Sequence, residues 1–444
     1  MLDYHFIVEN LAAVKKNIAD RFMNADVDAV VTLFKKRTEL TTALQNLQQQ
    51  KNAVAAAMKG KLALDKRTAL IEEGKQLKDA AAKAEADLAV VEKALDAEAR
   101  RIPNMAHPEA PIGREDKDGL EVKRVGEPRR FDFVPKDHVQ LGQELDVIDF
   151  DAATKVSGVK FYYLKNQGVF LELGLVRYAL DILLKKGFTP FITPDVAKES
   201  VLEGIGFSPR GAESNIYTLE GEDTCLVGTA EITLGGYYSN TVLSKDKLPL
   251  KLAGLSHCFR KEAGAAGQFS KGLYRVHQFT KLEMFVYCLP EESDEFHREL
   301  RAIEEEIFSG LEIPFRVVDT CTGDLGAPAY RKWDLEAWMP GRNVHTSAPV
   351  ESNDVVHAPQ SVGSWGEVTS TSNCTDYQAR RLNVRFKDDD GKNRFVHMLN
   401  GTAVAVSRAI IALLENFQQA GGSVLLPKAL VPYCGFEKIE KKRG

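Results

Sequence analysis

Cysteine is scarce in this chain of 444 residues: there are six, and no two lie closer than 30 positions apart. The sequence has no C-x-x-C pair of the kind found in zinc knuckles, and no dense cysteine spacing of the kind found in disulfide frameworks. The pattern favours reduced cysteines in a cytosolic-type compartment, and it predicts no zinc site.

Long apolar runs are also missing, because no stretch approaches the roughly 20 residues that cross a bilayer. The first 21 residues mix acidic and basic side chains and have no apolar core followed by a cleavage site, which argues against a secretory signal. We therefore expect a cytoplasmic protein with no membrane partner. An organelle matrix is the alternative if a transit peptide has been removed.

An overall excess of basic charge is absent too, since 58 basic and 63 acidic residues give a net charge of −5. The charge is uneven, however: residues 30–101 hold 14 Lys/Arg and 10 Asp/Glu, a net of +4, which leaves −9 for the rest (−5 minus +4). The total therefore excludes a uniformly basic nucleic-acid binder. It leaves open a local phosphate-binding strip on residues 30–101, although solvated surface lysines explain the same charges.

Residues 30–102 carry two heptad runs separated by a polar stretch around Gly60. The first consists of Val30, Leu33, Arg37, Leu40, Leu44, Leu47, Lys51, Val54 and Met58, and the second of Leu70, Leu77, Ala81, Ala84, Leu88, Val91, Leu95 and Ile102. Pro103 ends the second run, because proline cannot continue a helix. Two such runs predict an antiparallel coiled-coil hairpin about 45–50 Å long. An ordinary helical bundle inside a globular core is the alternative.

Beyond the hairpin the composition changes twice. Residues 103–130 are rich in proline, glycine and charge, which predicts a linker. From 131 to 444, helical patterns are separated by several β-rich runs, which predicts an α+β domain with an antiparallel or mixed sheet flanked by helices. This domain has neither G-x-x-x-x-G-K-[ST] nor a G-x-G-x-x-G that opens a helix, so it lacks the familiar glycine-rich nucleotide cradles.

The first constellation of reactive residue types reads as strand, glycine-rich loop, strand. Arg260, Lys261 and Glu262 precede the loop, and the segment from Arg275 through Val276 to Phe279 follows it. Arginines at the two bases of a loop can bring guanidinium groups to polyphosphate or carboxylate oxygens. A β-hairpin with surface charges is the alternative for this segment taken alone.

Two further segments carry polar groups. Thr229 and Glu231 are two positions apart, so on an extended segment they project the same way and together suit an ammonium group. Asn400-Gly401-Thr402 is expected at a strand-to-helix turn, with Arg408 nearly two turns into the helix; a capped core helix is the alternative. Glu367 and Ser370 offer oxygens to a hard cation such as Mg²⁺.

Taken in order, these segments resemble seryl-tRNA synthetase, a class II aminoacyl-tRNA synthetase, over essentially the whole chain. F-R-K-E-A-G followed by G-L-Y-R-V-H-Q-F-T-K-L-E-M looks like the second signature motif of the class in its seryl form, and L-N-G-T-A-V-A-V-S-R looks like the third. Residues 171–194 look like the first motif, which builds the dimer interface in this class. Thr369 to Arg381 is also similar to seryl enzymes.

The resemblance implies a class II catalytic domain over 131–444 and a tRNA-binding domain with a helical arm over 1–102. It implies activation of L-serine by ATP with Mg²⁺, transfer of serine to tRNA(Ser) and also to tRNA(Sec), and a homodimer. No zinc is expected.

The resemblance also assigns site residues. Arg260 and Arg408 are the catalytic pair, the first on the α-phosphate and the substrate carboxylate, the second on adenine and the γ-phosphate. The other ATP contacts it implies are Lys261, Glu262, Arg275, Val276, Phe279, Glu367, Val368, Thr369 and Ser370, of which Glu367 and Ser370 hold Mg²⁺. The serine contacts it implies are Thr229, Ala230, Glu231, Arg260, Glu283, Asn400 and Thr402, with Thr229 and Glu231 on the ammonium and Glu283 and Thr402 on the hydroxyl.

One segment departs from the family pattern. Residues 343–364 look like an insertion, and we expect a flexible surface loop. Metal binding by His345 and His357 is the alternative, although two histidines alone make an incomplete site. Two other functions stay open: a synthetase-like protein that binds RNA or a partner without aminoacylating, and a coiled-coil interaction protein with an unrelated α+β domain. The first of these predicts losses among the ligand positions, and the second does not explain why the motifs occur in order.

Overall fold

A computed structural model describes residues 1–60, 62–207, 214–263, 270–342 and 363–441. The chain divides into two compact units, Met1–Met105 and Ala106–Gly444. Within the described ranges, no helix combines the length and the apolar character needed to cross a membrane. The helices described in the first unit are α1 (Tyr4–Glu9), α2 (Leu11–Asp20), α3 (Val27–Ala57) and α4 (Leu64–Arg101).

The two long helices of the first unit pack against each other in antiparallel directions. Arg37 Nε lies 3.1 Å from Glu92 Oε1, and a Cβ placed on Gly74 would lie 3.7 Å from Val54. Asp26 accepts a hydrogen bond from the backbone N–H of Ala29 at 2.9 Å and so caps the start of α3. Both predicted heptad runs occupy the less exposed stripe of their helices, so the predicted hairpin seam is confirmed. Supercoiling of the pair stays a prediction.

The second unit contains the remaining elements. Its described helices are α5 (His138–Glu144), α6 (Phe150–Ser157), α7 (Gln167–Lys185), α8 (Glu199–Ile205), α9 (Ala230–Gly236), α10 (Ser293–Gly310), α11 (Tyr377–Leu382), α12 (Val406–Asn416) and α13 (Val431–Cys434). Its described strands are β1 (Leu120–Val125), β2 (Ile148–Asp149), β3 (Tyr163–Leu164), β4 (Thr189–Ile192), β5 (Val196–Lys198), β6 (Thr224–Leu226), β7 (Val242–Ser244), β8 (Leu250–Phe259), β9 (Gln278–Cys288), β10 (Phe315–Asp319), β11 (Arg331–Met339), β12 (Ser364–Asn373), β13 (Arg385–Lys387), β14 (Asn393–Phe395), β15 (His397–Ala405), β16 (Val424–Leu425) and β17 (Lys438–Ile439).

A large sheet organises the second unit. Its strand order is β1-β10-β11-β12-β15-β9-β8-β4, and every neighbouring pair is antiparallel except β4 with β8. The α+β fold with an antiparallel-dominated sheet is therefore as predicted.

Side chains of β9 alternate between two buried layers. Met284 and Val286 join the apolar core that α7, α10 and α12 complete, whereas Phe285 and Tyr287 join the core that α8, α9 and α11 complete. A strand buried on both faces reads as a continuous apolar run, and this explains the sequence L-E-M-F-V-Y-C.

Several local expectations differ from the structure. The sequence of residues 403–418 has a helical pattern, but residues up to Ala405 belong to β15 and α12 begins only at Val406. Residues 382–386 have a β-rich composition, but Leu382 ends α11. The linker expected over 103–130 contains the edge strand β1. Short apolar runs do not distinguish helix from strand, and pairing with the sheet decides. The domain limits at 102 and 130 stay predictions.

The buried face of α10 generates a stability prediction. Leu300 is 1% exposed, so Leu300→Ala should lower the free energy of unfolding of the second unit by roughly 2–5 kcal/mol through lost apolar burial and a cavity. Leu120→Ala, at a position that is 59% exposed, should change it by less than about 0.5 kcal/mol. Urea unfolding followed by tryptophan fluorescence reports this unit, because all three tryptophans lie in it. Equal midpoints for the two variants would contradict the assigned packing.

Candidate functional site

A polar cleft lies over the central strands of the large sheet. Its described lining comes from β9, β12, β15, the start of α12 and the residues that flank the loop between β8 and β9. The lining residues are Arg260, Glu262, Tyr274, Arg275, Val276, Phe279, Lys281, Glu367, Val368, Thr369, Ser370, Thr402, Ala405, Ser407 and Arg408. Segments more than 140 positions apart in sequence therefore meet at one place, including most of the predicted ATP contacts.

Arg260 lies directly after the last residue of β8 and projects over an aromatic ring. Its Nε donates to the carbonyl oxygen of Gly228 at 3.2 Å, and its guanidinium carbon lies 5.3 Å from the centre of the Phe279 ring. Phe279 is held in the sheet by pairing with Cys258 of β8. The cleft thus sets a fixed positive charge beside a flat apolar surface.

Arg275 and Glu262 face each other across the two bases of the loop. Arg275 Nη1 lies 3.2 Å from Glu262 Oε2, and Glu262 has a positive φ of 50°. A left-handed backbone is uncommon for a residue with a side chain, so surrounding contacts must hold it. One of these is the bond from Ala263 N to Asn215 Oδ1 at 2.8 Å. The predicted glycine-rich loop includes Gly264 and Gly267, and both lie outside the described residues.

Arg408 binds Glu367 on the opposite wall. Its Nη1 lies 3.0 Å from the Glu367 carbonyl oxygen and 3.2 Å from the Glu367 carboxylate. Burial alone would raise the pKa of Glu367, but the charges of Arg408, Lys332 and Arg260 lower it below its ordinary value. Glu367 therefore stays ionised at the cleft wall, where its side chain is 42% exposed.

Glu367 and Ser370 both line the cleft, so the oxygen donors expected for Mg²⁺ are together. Among the described residues, no group of three or more His, Cys, Asp or Glu side chains is arranged to hold a metal ion. Mg²⁺ characteristically takes one or two protein oxygens and completes its shell with phosphate and water. The donor set therefore fits a cation that arrives with a polyphosphate.

Glu231 lies at the start of α9, where Thr229 is the capping residue. Thr229 Oγ1 accepts from Glu231 N at 3.1 Å, so the pair is a helix cap and not the extended segment expected from the sequence. Glu231 Oε1 accepts from Gln378 Nε2 at 2.8 Å and from Asn400 Nδ2 at 3.1 Å. Burial, with a further contribution from the charge of Glu283, raises the pKa of Glu231 to about 7.

Glu283 lies below the cleft and is bound from two sides. Thr402 Oγ1 donates to its Oε2 at 3.1 Å, and Lys281 Nζ lies 2.6 Å from the same oxygen. Thr402 lies opposite Glu283 because β15 pairs with β9 in that register. The expectation of a strand-to-helix turn at Asn400–Thr402 is wrong, because the ladder with β9 keeps these residues extended.

Not every expected contact lines the cleft. The Lys261 ammonium lies 5.8 Å from the Tyr217 ring centre, and Lys261 is absent from the described lining, as are the buried Ala230 and Asn400. Of the insertion 343–364, only Gly363 and Ser364 are described, and Ser364 begins β12. The two histidines of the insertion lie outside the described residues.

Sequence reasoning missed four side chains that shape the site: Tyr274, Lys281, Arg342 and Gln378. Lys281 alternates with Phe279 and Glu283 along β9, and this period of two was a usable signal. Gln378 comes from α11 and Arg342 follows β11, and only the folded chain brings them near the cleft. Arg342 lines an adjoining cavity that shares Tyr274, Arg275 and Glu367 with the first.

Comparisons with known proteins agree with this architecture. Residues 1–106 match the model of the seryl-tRNA synthetase N-terminal domain, and residues 217–417 match the class II core domain of the tRNA synthetases for G, H, P, S and T. The serine–tRNA ligase of Treponema denticola is 67% identical over 99% of this chain and all of that protein. The serine–tRNA ligase of Borrelia recurrentis is 53% identical over the full length of both chains.

Solved structures give the same result. The seryl-tRNA synthetase of Pyrococcus horikoshii, complexed with ATP, superposes with a TM-score of 0.88 at 39% identity and covers all of both chains. The family resemblance inferred from the motifs is confirmed, and this chain belongs to the seryl-tRNA synthetases within the class II aminoacyl-tRNA synthetases.

Proposed function

We propose that this protein activates L-serine with ATP to seryl-adenylate and transfers the seryl group to tRNA(Ser) and to tRNA(Sec). The observation that carries the proposal is one cleft that joins Arg260, Phe279, Glu367 and Arg408 and lies against the buried polar network of Glu231 and Glu283. The cleft offers arginines to a polyphosphate, an aromatic ring to a planar base, and buried polar groups to a small amino acid. A relative with 39% identity is described as complexed with ATP, which supports the nucleotide assignment.

The ATP contacts follow from the charges of the cleft. Arg260 would bind the α-phosphate and the serine carboxylate, and Arg408 and Arg275 the outer phosphates. Phe279 would stack on adenine, with Glu262 accepting from its amino group and Arg408 covering the other face. Lys261, Val276, Val368 and Thr369 complete the proposed ATP-binding set; the side-chain position of Lys261 leaves its backbone as the contact.

In the first step a serine carboxylate oxygen attacks the α-phosphorus and pyrophosphate leaves. Negative charge builds on phosphate oxygens, and fixed guanidinium groups in a buried site stabilise it strongly. Mg²⁺ held by Glu367 and Ser370 would neutralise further phosphate charge. In the second step the terminal tRNA hydroxyl attacks the carbonyl carbon of the adenylate and AMP leaves. No protein nucleophile is needed in either step.

The serine subsite would use two carboxylates for two different groups. Glu231, fixed by Gln378 and Asn400, would take the ammonium together with Thr229 and the Ala230 segment. Glu283 and Thr402 would take the hydroxyl, with Lys281 balancing the carboxylate charge. Alanine would leave these buried groups unpaired, and sites of this type reject such analogues by about 10⁴-fold or more.

Two assembly features complete the proposal. The basic hairpin over 30–101 would contact the tRNA backbone through its positive charge. Residues 171–194 would form a homodimer interface, and the exposure of large apolar side chains there and nearby supports it: Phe170 is 55%, Leu173 60% and Ile192 88% exposed. Phe170 and Leu173 are three positions apart on α7 and so share one helix face, and an apolar face exposed in this way is typical of an interaction site. A cytoplasmic location is proposed on the same resemblance.

Serine-dependent exchange between ATP and pyrophosphate tests activation directly. Arg260→Ala should lower the exchange rate by about 10²–10³-fold, because an oriented donor to the developing charge is lost. Arg298→Ala, an exposed arginine on α10, is the matched control and should leave exchange unchanged. Normal exchange by Arg260→Ala, with wild-type melting temperature, would contradict the site assignment.

Shortening the hairpin separates activation from tRNA charging. Because Arg37 lies opposite Glu92 and Val54 opposite Gly74, removing residues 45–83 and joining Leu44 to Ala84 through a glycine turn keeps the two helices in register. Serine-dependent exchange should be unchanged, whereas kcat/KM for tRNA(Ser) should fall by more than tenfold. Charging at the wild-type rate would show that the hairpin does not bind tRNA.

The raised pKa of Glu231 predicts a pH-dependent serine affinity. The free carboxyl is half protonated near pH 7, and only its ionised form binds an ammonium, so binding must expel the proton. The apparent serine KM should therefore rise by roughly tenfold per pH unit below pH 7 and level off above it. In Glu231→Gln, serine binding should be weaker and this dependence lost. A flat wild-type profile from pH 6 to 8 would refute the ammonium role.

A further inference from the structure

Three segments of the second unit meet at the carboxylate of Glu415, near the C-terminal end of α12. Its Oε1 accepts from the backbone N–H of His138 at 3.0 Å and lies 2.8 Å from His138 Nδ1. Its Oε2 accepts from the backbone N–H of Gly341 at 2.8 Å. Glu415 and His138 are each 1% exposed, so these bonds form out of contact with solvent.

The bonds of His138 fix its tautomer. Its Nε2 accepts from the backbone N–H of Leu273 at 3.1 Å, so the ring proton is on Nδ1 and points at Glu415. The ring also packs against Gly272, which has a φ of +57°, and a Cβ there would lie 2.2 Å from His138 Nε2. A neutral histidine thus connects Glu415 to the short turn Gly272–Tyr274.

Tyr274 follows Leu273 directly, and two arginines of the site lie over its aromatic ring. The guanidinium carbons of Arg342 and Arg408 each lie 4.7 Å from the Tyr274 ring centre. Arg342 Nη1 donates to the Tyr274 hydroxyl at 3.3 Å, and Arg408 Nε to the Tyr274 carbonyl oxygen at 3.4 Å. A ring face attracts a guanidinium group, so Tyr274 orients both cations.

Glu415 bonds directly to Gly341, and His138 relays it to Leu273, so the pair holds segments that lead to the members of this group. Gly341 precedes Arg342, Leu273 precedes Tyr274, and Arg408 lies on the same helix as Glu415, seven positions earlier. Neither Glu415 nor His138 is among the described residues that line the cleft. Their effect on a ligand must therefore pass through the backbone segments that they hold.

We infer that the Glu415–His138 pair is a positioning device for the nucleotide site, which holds Tyr274 and thereby sets Arg342 and Arg408 before ATP binds. This inference rests on the proposed ATP-binding function. Glu415 and His138 are positioning residues and touch no substrate. Serine affinity should not depend on them, because the Glu231 and Glu283 networks lie on other elements.

Two substitutions at His138 test the two hydrogen bonds of its ring separately. The amide of glutamine reaches the place of Nε2, so His138→Gln keeps an acceptor for Leu273 N–H. The amide of asparagine reaches the place of Nδ1, so His138→Asn keeps a donor for Glu415 and leaves Leu273 N–H unpaired. An unpaired buried donor is costly, because it gives up its hydrogen bonds to water without gaining a partner. The turn can avoid this cost by moving until the N–H finds another partner. That movement would misplace Tyr274.

Calorimetric titration with ATP, together with serine-dependent exchange, reads the result. His138→Asn should weaken ATP binding about tenfold with serine KM unchanged, whereas His138→Gln, which loses the bond to Glu415 but keeps the acceptor for Leu273 N–H, should weaken it clearly less, by about threefold. His297→Gln is the control, since His297 is equally buried but bonds to Thr371 on β12. It should lower the melting temperature without moving the ATP affinity.

Gly272→Ala provides a second route if His138→Asn does not fold, because its methyl group would displace the same imidazole. It should weaken ATP binding about tenfold. Equal ATP affinities for the asparagine and glutamine variants, or an unchanged affinity for Gly272→Ala, would overturn the inference alone. Wild-type protein that binds no ATP would overturn the proposed function and the inference with it.

Discussion

The pairing of β9 with β8 on one side and β15 on the other is the constraint on which the site depends. Residues of β9 at odd positions from Phe279 to Tyr287 share one face, so the cleft residues Phe279 and Lys281 continue through the underlying Glu283 into the buried Phe285 and Tyr287. Burial of the apolar end of that face fixes the register of β9 in the sheet. Because the polar end belongs to the same rigid strand, the same register also fixes the positions of the site residues. A slip of one residue would invert the two faces and remove both the core and the site.

Charges in the cleft are paired before any ligand arrives. Arg275 is bound to Glu262, Arg408 to Glu367 and Lys281 to Glu283, at distances of 2.6–3.2 Å. Isolated charges in such a setting would carry a large desolvation cost, which these pairs reduce. In the proposed reaction, phosphate oxygens would replace the carboxylates at the arginines, and the cation would replace the arginine at Glu367. The empty site is therefore complementary to the charge distribution that the proposed reaction creates.

The sequence predicted the parts of the structure that a local pattern marks. Heptads located the hairpin seam, because a buried stripe imposes that repeat, and a β-rich run after the glycine-rich loop located the strand that carries Phe279 and Glu283. It failed at Thr229 and at Asn400–Thr402, where the choice between cap, strand and turn depends on partners distant in the chain. It missed Gln378 and Tyr274 for the same reason, since their roles come from contacts made only in the folded state.

Uneven charge gives the proposed tRNA contact its selectivity. The chain outside residues 30–101 carries −9, so its average field repels a polyanion, whereas the hairpin segment, at +4, attracts one. Phosphate contacts give affinity without sequence information, so confining them to one segment makes binding depend on the shape that the RNA presents to it. A uniformly basic surface would bind any RNA and would hold the product after transfer. A basic hairpin joined to an acidic body therefore favours both recognition by shape and release of the charged tRNA.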